Sequence, residues 1–352
     1  MSRIFITGAT GFIGGEVLHG LAHSRLASKT VALVRSEARA AQITAKYPAV
    51  IPLIADLDAS DAIETAASQA DVVLPYRPLT GADLASSNHV GSAKAIVRGL
   101  GKSQSDSPVW VQISGASVLS GPEVAKRSYG NAGAKVYNDL KDVTELREII
   151  ASSPNRVVDR LVTSLAADQP RARTAIIYGP MIYGLGKGPV NQRSIQMPSL
   201  ARATLKNGYA PYIGKGLNAW SSVHVSDIVQ LVLKLIAAAQ DSNSQHPLWN
   251  KDGIYFADAG RIPFGQVARK IADIAAAKGL IKLSAVKEID AEAAESIMAH
   301  AAVLLGTNAQ TRGDRARTWL GWEPQGPSLD AEIERLVTEE AANSKKSARS
   351  NM

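Results

Sequence analysis

Ile4, Phe5 and Ile6 form a short apolar, β-prone run that Thr7 and Gly8 bring to an end. Behind it, Phe12, Ile13, Val17, Leu18 and Leu21 recur at helical spacing. The same rhythm continues along the chain. "TVALVRS" (30–36), "AVIPLIADL" (49–57), "DVVLP" (71–75) and "RTAIIYG" (173–179) read as buried strands. "VHVSDIVQLVLKLI" (223–236) and "IPFGQVARKIADIAAAKGL" (262–280) read as amphipathic helices, and Trp319 and Trp322 as core. Strands alternating with helices predict an α/β fold on a parallel sheet.

The turn between the first strand and helix holds three glycines, Gly8, Gly11 and Gly14, in "TGATGFIG". Backbone N–H groups and a helix N-terminus placed this way meet a phosphate. Gly8 permits the tight turn, Gly11 lets a pyrophosphate approach the backbone, and Gly14 lets helix and strand pack closely. The second strand then ends in Arg35 and Ser36, with Arg39 a turn later. An acidic residue there would bond the adenosine ribose and favour NAD. A guanidinium fork suits the extra phosphate, and Ser36 adds a hydroxyl donor, so NADP(H) is the expected cofactor.

The glycine pattern does not stand alone. With "ADL" (55–57), "ISGASVLSG" (113–121), "IYGPMIYGLGKGP" (177–189), "WSSVHVSDIVQL" (220–231) and "WLGWEP" (319–324), the chain resembles the extended short-chain dehydrogenase/reductase superfamily. That superfamily includes sugar-nucleotide epimerases, dehydratases and dihydroflavonol-type reductases; the nearest resemblance is to fungal and plant epimerase/dehydratase-like members. It implies a doubly wound parallel sheet (Rossmann) with a smaller C-terminal substrate lobe. The dinucleotide domain would take residues 1–180 and 218–258, and the lobe 181–217 and 259–335. A disordered tail is expected over 336–352. The resemblance also assigns cofactor contacts to Gly8, Thr10, Gly11, Phe12, Ile13 and Gly14. It lays Asp56 and Leu57 against the adenine, and puts Pro180 and Ile182 at the nicotinamide end. Pro75, Tyr76 and Arg77 depart from it, standing where relatives have small residues.

Members of the superfamily generally use a Ser or Thr with a Tyr-x-x-x-Lys pair. The phenol moves a proton at the substrate oxygen, the hydroxyl holds that oxygen, and the ammonium lowers the phenol pKa. Here "YNDLK" offers Tyr137 and Lys141 at that spacing. Counting back from the strand at 173–179 instead reaches 151–159, which holds Ser152, Ser153, Asn155 and Arg156 but neither Tyr nor Lys. Alignment on Gly121 puts Ala116 at the hydroxyl position, between Ser114 and Ser117. Two accounts follow: a shifted triad of Ser114 or Ser117 with Tyr137 and Lys141, or a degenerate triad. Asn191, Arg193, Ser194 and Gln196 are candidates for the substrate side of the cleft.

Composition narrows the partners. The 352 residues include no cysteine, which excludes disulfides and thiolate metal sites and fits the cytoplasm. No His or carboxylate group has metal-ligand spacing, so no metal is expected. "MSRIFIT" lacks the apolar centre and cleavage site of a signal peptide, and no apolar run is long enough for a membrane span. The charge of +7 is scattered and aromatics are only 5%, which argues against nucleic acid and fits an anionic cofactor. The superfamily also suggests a homodimer on paired helices, to which 88–100 would contribute. Packing of that apolar stripe on its own sheet is the alternative.

The leading expectation is an NADP(H)-dependent oxidoreductase acting on a small carbonyl or alcohol, in specialised metabolism by resemblance alone. The alternatives are an isomerase, cyclase or lyase that keeps the cofactor structurally, and a non-catalytic NADP redox sensor.

Overall fold

The computed structural model describes residues 1–76, 89–241 and 246–350. Seven strands form a wholly parallel sheet: β1 (Ser2–Thr7), β2 (Ala27–Val34), β3 (Val50–Ile54), β4 (Val72–Pro75), β5 (Val109–Gly115), β7 (Arg173–Gly179) and β11 (Ile254–Phe256). Their spatial order is β11-β7-β5-β4-β1-β2-β3. The order runs outward in both directions from β1 and β4, which pair from Ile4 with Val72 to Thr7 with Pro75. That reversal opens a crevice at the carboxyl ends of the two strands, the usual ligand position in such sheets.

Both faces of the sheet are covered, so its strands read as apolar runs rather than alternating ones. Helices Phe12–Ala22, Glu37–Lys46 and Val225–Gln240 cover one face, burying Val17, Leu18, Ile43 and Leu231. Helices Ser60–Ser68, Val90–Gly101 and Val157–Asp168 cover the other, burying Ile63, Ile96, Val162 and Leu165. On Val90–Gly101, Ala93, Ala95, Ile96 and Leu100 are buried against the chain's own core, and Val90 and Val97 are half-buried. A Cβ at Gly99 would lie 2.5 Å from the Glu64 carbonyl oxygen and 2.6 Å from the Ala67 Cβ, so this helix and Ser60–Ser68 meet with no room for a side chain there.

The remaining strands are short. β8 (Met181–Tyr183), β10 (Ala219–His224) and β12 (Gly260–Pro263) make a three-stranded sheet, and β9 (Ala210–Ile213) pairs with β13 (Val286–Ile289). β6 (Tyr137–Asn138) pairs with β14 (Thr311–Arg312). Phe264, Val267 and Ile271 of helix Phe264–Ala277 pack with Leu200 and Ala201 of helix Gln196–Asn207 to form the core of the smaller lobe.

The tail expected to be disordered from 336 is instead part of a helix, Leu329–Ser350. Leu329, Ile333, Leu336, Val337 and Glu340 fall on one helical face and are buried. This stripe runs past 335 and docks the helix on the smaller lobe, where packing outweighs the polar composition of the residues around it. Among the described residues, no helix is long and apolar enough to cross a membrane.

Asp139, just after β6, is fully buried. Its two carboxylate oxygens accept the N–H groups of Phe256 and Arg315, each at 2.9 Å. Burial raises its pKa to about 7, against an ordinary 3.8. The folded state therefore holds this proton more tightly than the unfolded one. Its stabilising contribution is complete below about pH 4 and is lost as the pH rises through about 7. Thermal midpoints across this range should fall more steeply for the natural protein than for Asp139→Asn. Parallel curves would refute the assignment.

Candidate active site

Gly8 adopts a left-handed φ of 66°, and the Gly11 N–H closes the turn on the Gly8 carbonyl at 2.8 Å. Gly11 caps helix Phe12–Ala22 in an extended conformation with no side-chain bond. The first N–H groups of that helix therefore have neither a helical acceptor nor a side-chain one. A Cβ at Gly14 would fall into the Gly8 carbonyl, whose carbon would lie at 2.8 Å. Strand turn and helix thus touch along a strip with no room for a side chain. This cradle fits a dinucleotide diphosphate, since the first N–H groups of the helix are left without a side-chain cap.

The segment 184–193 lies across this cradle. Asn191 N–H donates to the Thr10 carbonyl at 3.2 Å, and Glu16 accepts the Lys187 N–H. The Tyr47 hydroxyl donates to the Lys187 carbonyl at 3.1 Å, and Lys46 donates to the same oxygen at 2.9 Å.

At the far end of the cradle Arg35 is exposed just beyond β2. The Ser36 hydroxyl accepts the Arg39 N–H at 3.4 Å, which caps helix Glu37–Lys46. The Arg39 guanidinium donates to Gln42 at 3.0 Å. Asp56 uses Oδ1 to accept the N–H groups of Asp58 and Ala59, at 2.9 and 3.0 Å, and so shapes the turn before the next helix.

A cleft opens over the glycine turn at the carboxyl ends of β1, β4, β5 and β7. Thr7, Phe12, Ile13 and Leu57 line the side next to the glycine turn, and Pro180 and Ile182 lie along its wall. Asn191, Arg193, Ser194 and Gln196 line the side facing the smaller lobe. Pro75 and Tyr76 also line it, while Arg77 lies outside the described residues. The Tyr76 hydroxyl is buried without a hydrogen-bond partner, and burial drives its pKa up.

A hydrogen-bonded group of hydroxyls and charges lies at the floor of the cleft. Ser114 closes β5 and Ser117 sits on the single 3-10 turn after it; both line the cleft, while Ala116 between them is fully buried. Arg156, immediately before helix Val157–Asp168, donates to the Ser114 hydroxyl oxygen at 3.2 Å and to that of Ser117 at 2.6 Å. Ser114 in turn donates to Asp159 Oδ2 at 2.8 Å, and the Tyr178 hydroxyl donates to the same oxygen at 3.0 Å. Asp159 is fully buried and its Oδ1 has no hydrogen-bond partner. Burial raises its pKa, opposed by Arg156 at 4.0 Å and by the two hydroxyl donors.

Tyr137 and Lys141 are not part of this group and do not line the cleft. Tyr137 lies on β6, its N–H on the Gln310 carbonyl at 2.9 Å. The Asn138 side chain accepts the N–H groups of Leu140 and Lys141, at 2.9 and 3.0 Å. An extended residue followed by an Asn-centred turn does not bring Tyr and Lys together as one turn of helix would. The Tyr137 pKa is raised, by burial first and then by Glu145, whereas an activating lysine would lower it. Arg156 is what the spacing search missed. The count back from β7 reached its position, but Arg matched neither residue type of the motif.

No protein-family model matches the chain. Oxidase ucsJ of Acremonium sp is 33% identical over 347 residues, covering 96% of this chain and 97% of that protein. An uncharacterized protein of Saccharomyces cerevisiae is 25% identical over 331 residues, covering 94% and 97%. Among solved structures, a dTDP-glucose 4,6-dehydratase from Streptomyces venezuelae with NAD bound superposes with a TM-score of 0.66 at 16% identity, covering 97% of both chains. A UDP-glucuronic acid 4-epimerase from Bacillus cereus, in complex with UDP-glucuronic acid and NAD, also has a TM-score of 0.66. It is 14% identical, covering 97% of this chain and 99% of that one.

Proposed function

The chain belongs to the extended short-chain dehydrogenase/reductase superfamily, and from that premise we propose that it is an NADP(H)-dependent oxidoreductase acting on a small carbonyl or alcohol. The observation that carries the reading is the Arg156 guanidinium, which donates to Ser114 and Ser117, two residues that line the cleft beside the glycine cradle.

Gly8, Gly11 and Gly14 with the first turn of helix Phe12–Ala22 would hold the diphosphate, and Arg35 the additional phosphate. Bound there, the nicotinamide supplies the hydride acceptor or donor. The chain's own residues manage the oxygen. Ser117 and Arg156 hold it, and the guanidinium offsets negative charge as it develops. Ser114 can accept a proton from a substrate hydroxyl while passing its own to Asp159, and the reverse path protonates an alkoxide. Arginine stays charged and cannot itself trade protons at neutral pH, so the roles divide between Arg156 for charge and Asp159 for the proton. The name oxidase on the Acremonium relative supports a redox reaction.

One observation favours a second reading. Among the described residues lining the cleft there is no lysine, and the one phenol, Tyr76, is held protonated by burial. An isomerase or cyclase that keeps its cofactor unreacted would need neither. Absorbance in the reduced-nicotinamide band separates the two: stoichiometric change with product supports the oxidoreductase, and product without change supports the alternative.

Calorimetry tests the cofactor. NADP+ should bind more tightly than NAD+, and Arg35→Asp should weaken NADP+ binding by about tenfold or more, the worth of a charge-assisted phosphate contact. Equal affinity of the natural protein for both nucleotides would remove Arg35 from the scheme.

A further inference from the structure

The polar groups around the cleft are largely answered from within the chain. Asn191 Oδ1 accepts the Arg193 N–H at 3.0 Å, and Gln196 donates to the Leu304 carbonyl at 3.0 Å. Gln112 accepts the Trp110 indole N–H at 3.1 Å and donates to the Ile113 carbonyl at 3.0 Å. The Trp220 indole donates to Thr307 at 3.0 Å. His89 accepts the Ser92 N–H at 3.0 Å and meets Asp58 at 3.2 Å.

Among the described lining residues, Arg193 is the sole arginine or lysine. It is paired with Glu340 of helix Leu329–Ser350, a carboxylate only 1% exposed that also meets Arg202 at 3.4 Å. Between these groups the wall is apolar, with Ile96, Trp110, Val158, Ile195, Trp220 and Leu304. A diphosphate brought here would shed its water, and among the described residues both guanidiniums near it are already engaged, Arg193 by Glu340 and Arg156 by Ser114, Ser117 and Asp159. An apolar skeleton would lose nothing and gain burial.

We propose that the substrate is a largely apolar, uncharged molecule whose one reacting oxygen reaches Ser114, Ser117 and Arg156, and that the cleft excludes nucleotide-diphosphate sugars. The substrate class thus differs from the UDP-glucuronic acid held by the Bacillus cereus neighbour. This rests on the reading of the cleft as the site of carbonyl or alcohol chemistry.

The test is saturation-transfer NMR on the full chain, using 1-tetralone as an apolar ketone probe and UDP-glucuronic acid as the charged one. NADP+ binding is measured calorimetrically on each sample. Tetralone should bind with a dissociation constant below about 1 mM, and UDP-glucuronic acid should show no transfer at that concentration. Leu304→Asp should weaken tetralone by about tenfold or more, because a carboxylate in the apolar wall must stay hydrated. Its NADP+ affinity and melting point should match the natural protein; if it melts early, Ile195→Asn is judged by the same criterion. Glu340→Gln, which frees Arg193, should make UDP-glucuronic acid binding detectable. The proposal is overturned if tetralone gives no transfer, if UDP-glucuronic acid binds the natural protein, if the folded wall variant binds tetralone unchanged, or if Glu340→Gln leaves UDP-glucuronic acid unbound. Loss of NADP+ binding to the natural protein would instead sink the oxidoreductase reading and leave these arms intact.

Discussion

Arg156→Ala should lower kcat/KM by about 10²–10³-fold with NADP+ affinity unchanged, the usual cost of removing a preorganised donor to a developing oxyanion. The variant also loses stability, because Asp159 is left buried without its counter-charge. The double variant Arg156→Ala with Asp159→Asn removes both charges and separates the effects. It should regain much of the thermal midpoint and none of the turnover. Arg156→Lys should recover only part of the rate, since a single ammonium cannot reproduce the fork that spans Ser114 and Ser117. Tyr137→Phe should be silent in the same assay. A Tyr137→Phe variant as damaged as Arg156→Ala would restore the shifted triad and end the present assignment.

Gly14→Ala should act at the other end of the reaction. The new methyl would press on the Gly8 carbonyl carbon at 2.8 Å and on the Ala9 nitrogen at 3.3 Å. Both are backbone, so the helix must move away from the strand turn. Such overpacking costs about 1–3 kcal/mol. For a chain of 352 residues that lowers the thermal midpoint by about 1–4 °C. The larger effect falls on the cofactor, because the displaced helix takes its first N–H groups with it. NADP+ affinity should fall by about tenfold or more, and a crystal structure of the variant should show the turn opened. Unchanged affinity would mean that the diphosphate is held elsewhere.

Local chemistry made the cradle legible. Positive φ at one glycine, close packing at another and the change from strand to helical spacing are all encoded within about a dozen residues. The alternation of strands and helices carried the parallel sheet for the same reason. The floor of the cleft was harder because its partners are far apart in the chain. Ser114 and Asp159 meet across 45 residues, and Arg156 and Ser117 across 39. Nothing near Arg156 distinguishes it from a surface arginine. Tyr137 and Lys141 lie away from the cleft lining for the opposite reason. Their spacing has meaning only on a helix, and the Asn138 side chain makes a turn there instead. The last helix was hidden by its charged residues, although Leu329, Ile333, Leu336 and Val337 already marked an inward face.

The pairing of Arg193 with Glu340 spans nearly half the polypeptide, and it sets an order of assembly. Chains fold from the amino terminus as they are synthesised. Every strand of the large sheet except β11 lies before residue 180, and helix Val225–Gln240, which covers one of its faces, follows within about sixty residues. The carboxylate that neutralises the mouth arrives more than a hundred residues later. Until it docks, Arg193 and Arg202 face each other uncompensated. On the proposed function, a nascent molecule would be competent for the coenzyme before it is selective for what the coenzyme acts upon.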